Sequence, residues 1–384
     1  VRMHEARRHI LDYGLGFDAT TRGGSIPSGT VAVPGLPIIA LPNSFQTSQS
    51  WFFGPSGSVE YTRLNLDGKN ETLSAGGYAG RLDQRGSIAL TNPNLYWTDF
   101  GGNLSLSADH DSRNPIYTAK TVQAGYQIGR ALNPDRTTNL LLGYAFSVTE
   151  LSRLLIPQLV PLRDQHIHLS TLSAAYQRDT RDNPLDAHRG MLESYEVDYS
   201  PSALGSSATF AKLLTQTAYY RKVADGLVWA NNLRLGVAHA FGNSFVPLSQ
   251  AFFSGGGSTL RGFPLDGAGP QRTVAACGDP ANPATCSKIN VPAGGNLLAI
   301  INSELRIPTP HIRSGLGLVG FYDGGNVFGS VSLASVRAGY TNTVGLGLRY
   351  ATPVGPIRID VGHNLNPISG IQSTQFFFSL GQAF

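Results

Sequence analysis

One arginine stands alone in the glycine-rich segment GGGSTLRGFPLDG, Gly255–Gly267. A guanidinium has five N–H donors, and the segment offers Arg261 no carboxylate but Asp266. Its natural chemistry is ion pairing with carboxylates brought from elsewhere in the chain. Other segments invite catalytic or metal-binding readings, and each falls short. SGGGS mimics a phosphate-cradling loop, yet it lacks the Lys-Ser/Thr and the following helix. His166 and His168 in HIHL share one strand face and could touch a metal, but near a strand start they read as plain polar positions. Cys277 and Cys286 are two thiols without a third or fourth ligand, so they do not make a zinc site. Asp179 and Asp182 could suggest acid–base work, but a structural role suits them better, and there is no Gly-x-Ser-x-Gly nucleophile elbow. The residues therefore point to no metal, no cofactor and no enzyme, and Arg261 remains as the group in need of partners.

What must position it is a large β structure. The chain has 384 residues, 45 of them Gly, and only 14% are charged. A net charge of +4 gives no reason to expect a nucleic acid partner. The apolar stretch VAVPGLPIIALP, Val31–Pro42, is short and broken by three prolines, so it is no transmembrane helix. VRMHEARRHI has no apolar core of the kind a signal peptide needs.

Periodicity fixes the class. In IRIDVG, Ile357, Ile359 and Val361 oppose Arg358 and Asp360. In TVGLGLRY, Val344, Leu346, Leu348 and Tyr350 oppose Thr343, Gly345, Gly347 and Arg349. In DYGLGFD, Tyr13, Leu15 and Phe17 oppose Asp12, Gly14, Gly16 and Asp18. In LLAIINSELRI, Asn302, Glu304 and Arg306 oppose Ile301, Leu305 and Ile307. This is period two, hence strands. The polar face carries charge and Gly together, as a wet, crowded lumen would. The chain ends QFFFSLGQAF, with Phe376, Phe378, Leu380, Gln382 and Phe384 on one face. Such a strand would be a sticky edge in water but can face lipid.

Turn signals divide the chain into about sixteen strands: 9–18, 57–66, 71–81, 86–92, 102–112, 117–132, 138–151, 166–180, 189–201, 207–224, 226–241, 296–308, 315–328, 341–352, 356–364 and 374–384. The expected fold is all-β, a transmembrane antiparallel barrel over 8–384 with a long loop, 242–295, inserted in its lumen. Two other long connections, Ala19–Ser56 and Leu365–Ser373, are read as structureless.

A family resemblance rests on five ordered motifs. YQRDTRDNPLDAHRGMLESYEVDY, Tyr176–Tyr199, resembles the barrel signature of bacterial outer-membrane assembly factors of the BamA type. It carries over to Arg178, Asp179, Asp182, Pro184, Arg189, Gly190 and Glu196. LRGF, Leu260–Phe263, is similar to the family's loop motif, with Leu in the first place. INSELRIPTP, GFYDGGNVFG and YATPVGPIRIDVG match the strand motifs that follow. VRMHEA looks like the closing strand of a POTRA domain, so 1–7 would be its remnant, with the POTRA repeats upstream of this chain.

The resemblance implies that the loop folds into the lumen and that Arg261, with Gly262 and Phe263, locks onto Glu304 and Asp323 of the wall. Glu304 has lumenal parity; Asp323 shares its face with Val319 and Phe321, which leaves its direction open. The resemblance also implies residence in the bacterial outer membrane and a lateral seam between first and last strands, near Tyr13, Gly14, Leu15, Gly16 and Phe17 on one side and Phe376, Phe378, Leu380 and Phe384 on the other. Its partners would be unfolded β-barrel clients, the lipid bilayer, and accessory lipoprotein or periplasmic subunits reached through the POTRA domains. In an oxidising compartment Cys277 and Cys286 read as a local disulfide. Rival readings are a two-partner secretion translocator, a TamA-like assembly member, a passive porin, and the barrel anchor of a fused domain.

Overall fold

The computed structural model describes residues 8–22, 29–32, 39–41, 50–66, 68, 70–95, 98–112, 117–152, 160–277, 286–309, 315–352, 356–368, 371–380 and 382–384; of the side chains of 17–53, 273–291 and Leu380 nothing is described. In chain order the strands are β1 (His9–Arg22), β2 (Gly29–Ala32), β3 (Ile39–Leu41), β4 (Ser50–Leu66), β5 (Glu71–Ala79), β6 (Asp83–Asn92), β7 (Gly101–Asp111), β8 (Thr118–Ala131), β9 (Thr138–Ser152) and β10 (His166–Asp179). There follow β11 (Gly190–Ser200), β12 (Phe210–Lys222), β13 (Val228–Ala240), β14 (Gln271–Cys277), β15 (Cys286–Pro292), β16 (Leu297–Pro308), β17 (Leu316–Phe328), β18 (Thr341–Tyr350), β19 (Ile357–Asn364) and β20 (Thr374–Leu380). Two short helices, α1 (Leu162–Gln165) and α2 (Leu333–Gly339), sit in connections.

Sixteen of these strands form one antiparallel sheet in the order β1-β4-β5-β6-β7-β8-β9-β10-β11-β12-β13-β16-β17-β18-β19-β20. Every neighbour is the next barrel strand in sequence, the up-and-down topology of outer-membrane barrels. Alternation sets the faces. Tyr13, Leu104, Leu172, Leu235, Ile301, Leu346, Ile359 and Phe376 lie exposed on the outer face, 42–81% accessible, where lipid covers them. Asn302, Glu304, Asp323, Thr343 and Asp360 lie on the inner face at 2% or less. No helix among the described residues is long and apolar enough to cross a membrane, a statement that does not bear on strands.

In this antiparallel order β4, β8, β10, β12 and β18 finish at one end of the sheet, and β1, β9 and β13 at the other. Short turns mark the periplasmic end and long ones the extracellular end.

The connections hold more structure than expected. β1 continues to Arg22 and β4 starts at Ser50, paired Thr21 to Trp51 and Arg22 to Ser50. At 17 residues, β4 is longer than the roughly 9–11 that cross a bilayer, so this ladder stands above the membrane. Apolar alternation stops there while backbone pairing does not. The expected structureless connections also supply a second sheet, ordered β15-β14-β2-β3, which ties the first long connection to the long loop. At the other extreme the last strand is shorter than expected. Ile357, the first residue of β19, pairs with Leu380, so 382–384 have no β19 residue left to pair with. The expectation for 1–7 falls outside the described residues.

Candidate functional site

The long loop leaves β13, turns back into the lumen, and returns as β16. Its apolar side forms a core against the wall: Phe252, Leu260, Phe263 and Ala268 pack with Ala238, Leu298, Ile300 and Val327. Leu260 and Phe263 are fully buried. The tip needs glycine at two kinds of place. Gly255 has φ +116°, and a Cβ there would meet the Pro264 carbonyl at 2.2 Å. Gly262 and Gly362 let loop and wall touch: a Cβ on Gly262 would meet Thr343 Oγ1 at 2.5 Å, and one on Gly362 would meet the Arg261 carbonyl at 2.1 Å.

That close approach delivers Arg261 to the inner wall, where it is 1% exposed. Its Nε donates to Asp323 Oδ2 at 2.8 Å and its Nη2 to Asp323 Oδ1 at 2.6 Å, a bidentate pair. The Arg261 backbone N–H donates to the same carboxylate at 3.0 Å. Its Nη1 donates to Glu304 Oε1 and, at 3.5 Å, to Asp360 Oδ2. The guanidinium carbon lies 3.5 Å from the centroid of Phe321, a cation–π contact in a dry setting. Val319 and Phe321 thus share the lumenal face with Asp323, and the open parity resolves inward.

The cluster is larger than two carboxylates. Arg306 Nε donates to Glu304 Oε2 at 3.0 Å, and Arg349 reaches both Glu304 (3.3 Å) and Asp360. Arg358 Nε lies 3.5 Å from Asp360 Oδ2 and 2.7 Å from Ser379 Oγ on the last strand. Asn302 bridges wall and loop, donating to Asp323 Oδ1 at 2.8 Å and to the Thr259 carbonyl at 2.6 Å. Four guanidinium groups meet three carboxylates, and Arg306 Nη2 and Arg358 Nη1 have no hydrogen-bond partner among the described residues. A second clamp joins wall to loop on the other side: Arg234 Nη1 donates to the Ser258 carbonyl at 3.1 Å. Sequence reasoning had placed Arg306, Arg349, Arg358 and Asp360 on the charged strand face without assigning them to the lock. Charge at lumenal parity in the strands after the loop was the signal that could have assigned them.

The barrel signature builds one turn beneath this cluster. Arg181 clasps Asp179 with its backbone N–H (3.1 Å), Nε (2.9 Å) and Nη2 (2.8 Å). Asp182 Oδ1 accepts from the backbone N–H groups of Asn183, His188 and Arg189 at 3.0, 2.9 and 3.2 Å. Burial pushes that carboxyl up, but the three donors outweigh it and hold it below the usual carboxylate range. The Pro184 carbonyl accepts from Arg181, and Gly190 takes φ +101°. The turn meets the lock through the Ala187 carbonyl, which accepts from Arg306 Nη1 at 3.2 Å. Arg178 pairs with Glu193 at the surface, 3.5 Å, and Glu196 faces the lumen uncovered. His168 contacts Ser207 Oγ at 3.0 Å, and no group of three or more metal-ligating side chains occurs among the described residues.

At the seam, Tyr13, Leu15, Phe376 and Phe378 point outward, 52–92% exposed. Gly14 is half-buried and Gly16 exposed. The side chains of Phe17 and Leu380 lie outside the described residues. Phe384 does not belong to the lipid face. With no ladder after Leu380 the chain turns inward, and its ring packs 6.3 Å from Tyr220 and 5.8 Å from the Arg306 guanidinium. Gln382 accompanies it, donating to Asp186 Oδ1 at 2.7 Å and accepting from Arg349 Nε at 3.2 Å. Cys277 and Cys286 occupy opposite positions of the β14–β15 ladder; their side chains lie outside the described residues.

A sixteen-stranded membrane barrel with a loop locked by arginine to its inner wall is one class of outer-membrane protein. Residues 65–384 match the Omp85 superfamily domain, and the chain belongs to that superfamily, as an integral outer-membrane barrel. It is 25% identical over 342 residues to the outer membrane protein assembly factor BamA of Nitratidesulfovibrio vulgaris (strain Hildenborough), covering 86% of this chain and 40% of that relative's length. Among solved structures, BamA from Haemophilus ducreyi lacking POTRA domains 1–3 superposes with a TM-score of 0.72 at 18% identity, over 98% of this chain and 70% of that one. CdiB from Acinetobacter baumannii gives 0.52 at 15% identity, over 98% and 60%.

Proposed function

We propose that this barrel is the membrane part of a factor that assembles other β-barrel proteins into the outer membrane, by templating client strands at its lateral seam. The observation that carries the reading is the sheet's two ends. The strand order begins at β1 and finishes at β20, and no ladder joins them among the described residues. Free backbone N–H and C=O groups along such edges pair with an incoming strand by β-augmentation. They are costly in lipid unless filled, which favours a client. The BamA relatives support the same assignment, and the chain's shorter extent leaves clients and accessory subunits to the proposal. The small seam residues fit it as well, since Gly14, Gly16 and Ser379 offer few cross-strand contacts. Within the long loop we infer a Cys277–Cys286 disulfide, because directly opposed ladder positions have a Cα separation that a disulfide spans.

The test is a set of cysteine pairs engineered between Gly14 on β1 and successive lumenal positions of β20, Gln375, Phe377 and Ser379, in the protein that carries this barrel, taking the pair that oxidises. Oxidation is expected to stop client assembly and reduction to restore it. The same crosslink between Leu346 and Val361, already opposed in the β18–β19 ladder, is expected to be silent. Normal assembly with the seam locked would sink lateral templating and favour transport through the lumen.

A further inference from the structure

The lipid side of β4–β8 carries an apolar groove of about 520 Å³, walled by Val59, Ile88, Leu106 and Val122 over Gly77 and Gly86. The four wall residues are 51–53% exposed, at the outward positions of their strands. One ladder row runs through the groove: Val59 opposes Gly77, and Gly77 opposes Gly86. It continues from Gly86 to Ala108 and from Ala108 to Val122. Nothing inside the protein requires glycine here. Neither Gly77 nor Gly86 has a positive φ. A Cβ on Gly86 would meet no atom within 4 Å, and one on Gly77 none nearer than 3.9 Å. Glycine in a strand gives up stability relative to a residue with a side chain. What these two create is room on the outside of the wall.

Two residues further along each strand, on the same face and toward the extracellular end, the row turns polar. Gln84 opposes His110, and His110 opposes Lys120. His110 Nε2 contacts Ser112 Oγ at 3.3 Å. Lys120 is exposed and makes no ion pair or hydrogen bond among the described residues. Glu150 opposes Lys120 from β9, on the side away from the groove, so an anion approaches from the β6–β7 side. An apolar slot with a free ammonium above it, where strands reach the membrane surface, has the shape and charge of one kind of ligand.

We propose that the groove holds an acyl lipid of the outer leaflet whose phosphate leaves it net anionic, with an acyl chain over Gly77 and Gly86 and the phosphate on Lys120. The charge distribution selects the occupant: an apolar partner surface would have to strip water from both Lys120 and Glu150, whereas a lipid phosphate meets the ammonium from the groove side and leaves both in the headgroup layer. This reading does not depend on the assembly function.

Native mass spectrometry of the folded chain, released from detergent with added phosphatidylglycerol or phosphatidylcholine, tests it. The single-lipid adduct is expected to favour phosphatidylglycerol about fivefold, the worth of one lysine near a lipid surface. Lys120→Gln, an exposed change that does not threaten folding, is expected to remove the preference. Gly86→Leu, whose added Cβ meets no atom within 4 Å, is expected to cut the adduct with both lipids. Equal adducts of the two lipids, or a preference that survives Lys120→Gln, would overturn the proposal. So would an adduct untouched by Gly86→Leu. A dimer of this chain that Gly86→Leu disperses would give the face to a second copy instead.

Discussion

The wall from β16 to β19 and the wall from β5 to β8 obey the same alternation and differ in what their inner faces meet. On β16–β19 the lumenal positions are Asn302, Glu304, Asp323, Thr343 and Asp360, all at 2% exposure or less under the loop. On β7 and β8 they include Ser105, Ser107, Gln123 and Gln127, half-exposed or exposed. Charge is concentrated where protein covers it, because a buried ion is tolerable only when paired. Where water covers the wall, neutral polar residues stand beside charges that stay partly exposed, such as Arg85 and Asp109, 2.6 Å apart. The seam lies between a wall braced by a lock and the unbraced strands that begin with β1. Arg358 extends the brace to the last strand through Ser379. The β20 edge is therefore held, and β1 is the edge expected to move.

The largest way to break this contrast is to remove the lock. Arg261→Ala leaves Asp323 and Glu304 buried with fewer cations, a loss of roughly 3–5 kcal/mol when one partner of a buried pair goes. The sixteen-stranded ladder does not depend on that pair. The variant is expected to remain a heat-modifiable barrel while client assembly fails and protease cuts the 242–295 loop faster. Asp323→Asn and Glu304→Gln are expected to mimic it in part. Arg261→Lys is expected not to rescue, since one ammonium cannot reproduce a bidentate pair that also reaches Glu304. Full activity of Arg261→Ala would show that the lock is ornamental to assembly.

A smaller effect sharpens the contrast. Amide hydrogen exchange is expected to be slower in β16–β19 than in β5–β8, because local opening follows buried contacts. In Arg261→Ala the difference is expected to shrink from the β16–β19 side alone. Equal protection of the two walls in the wild type would remove the claim that one is braced.

The two walls were not equally legible in the sequence. Sixteen strands were visible because lipid outside and polar lumen inside impose a period of two on every crossing segment. Arg261, Glu304 and Asp323 were legible through ordered family motifs. Asp360, Arg306, Arg349 and Arg358 were visible as charges of lumenal parity, but which charges meet depends on register between strands far apart in sequence. Phe384 misled because parity continues past Leu380 on paper, while the ladder with β19 ends there. The small sheet of β2, β3, β14 and β15 was hidden because it stands clear of lipid, where no alternation is imposed.

The smallest expected effect lies farthest from the lock. Cys277 and Cys286 close a loop of under a dozen residues, for which chain-entropy reasoning gives about 2–3 kcal/mol, confined to that hairpin. The β14–β15 hairpin belongs to the second sheet and shares no ladder with the barrel among the described residues. Replacing both cysteines by serine is therefore expected to leave insertion, heat-modifiability and the protection of β16–β19 unchanged, while 271–292 becomes easier to cleave. Thiol titration after non-reducing denaturation, on protein from an oxidising compartment, is expected to find none free. Two free thiols would refute the pairing. A double variant that also loosened β16–β19 would show that the extracellular sheet and the lumenal lock are one cooperative unit, and the brace would then extend from the lumen to the outer surface.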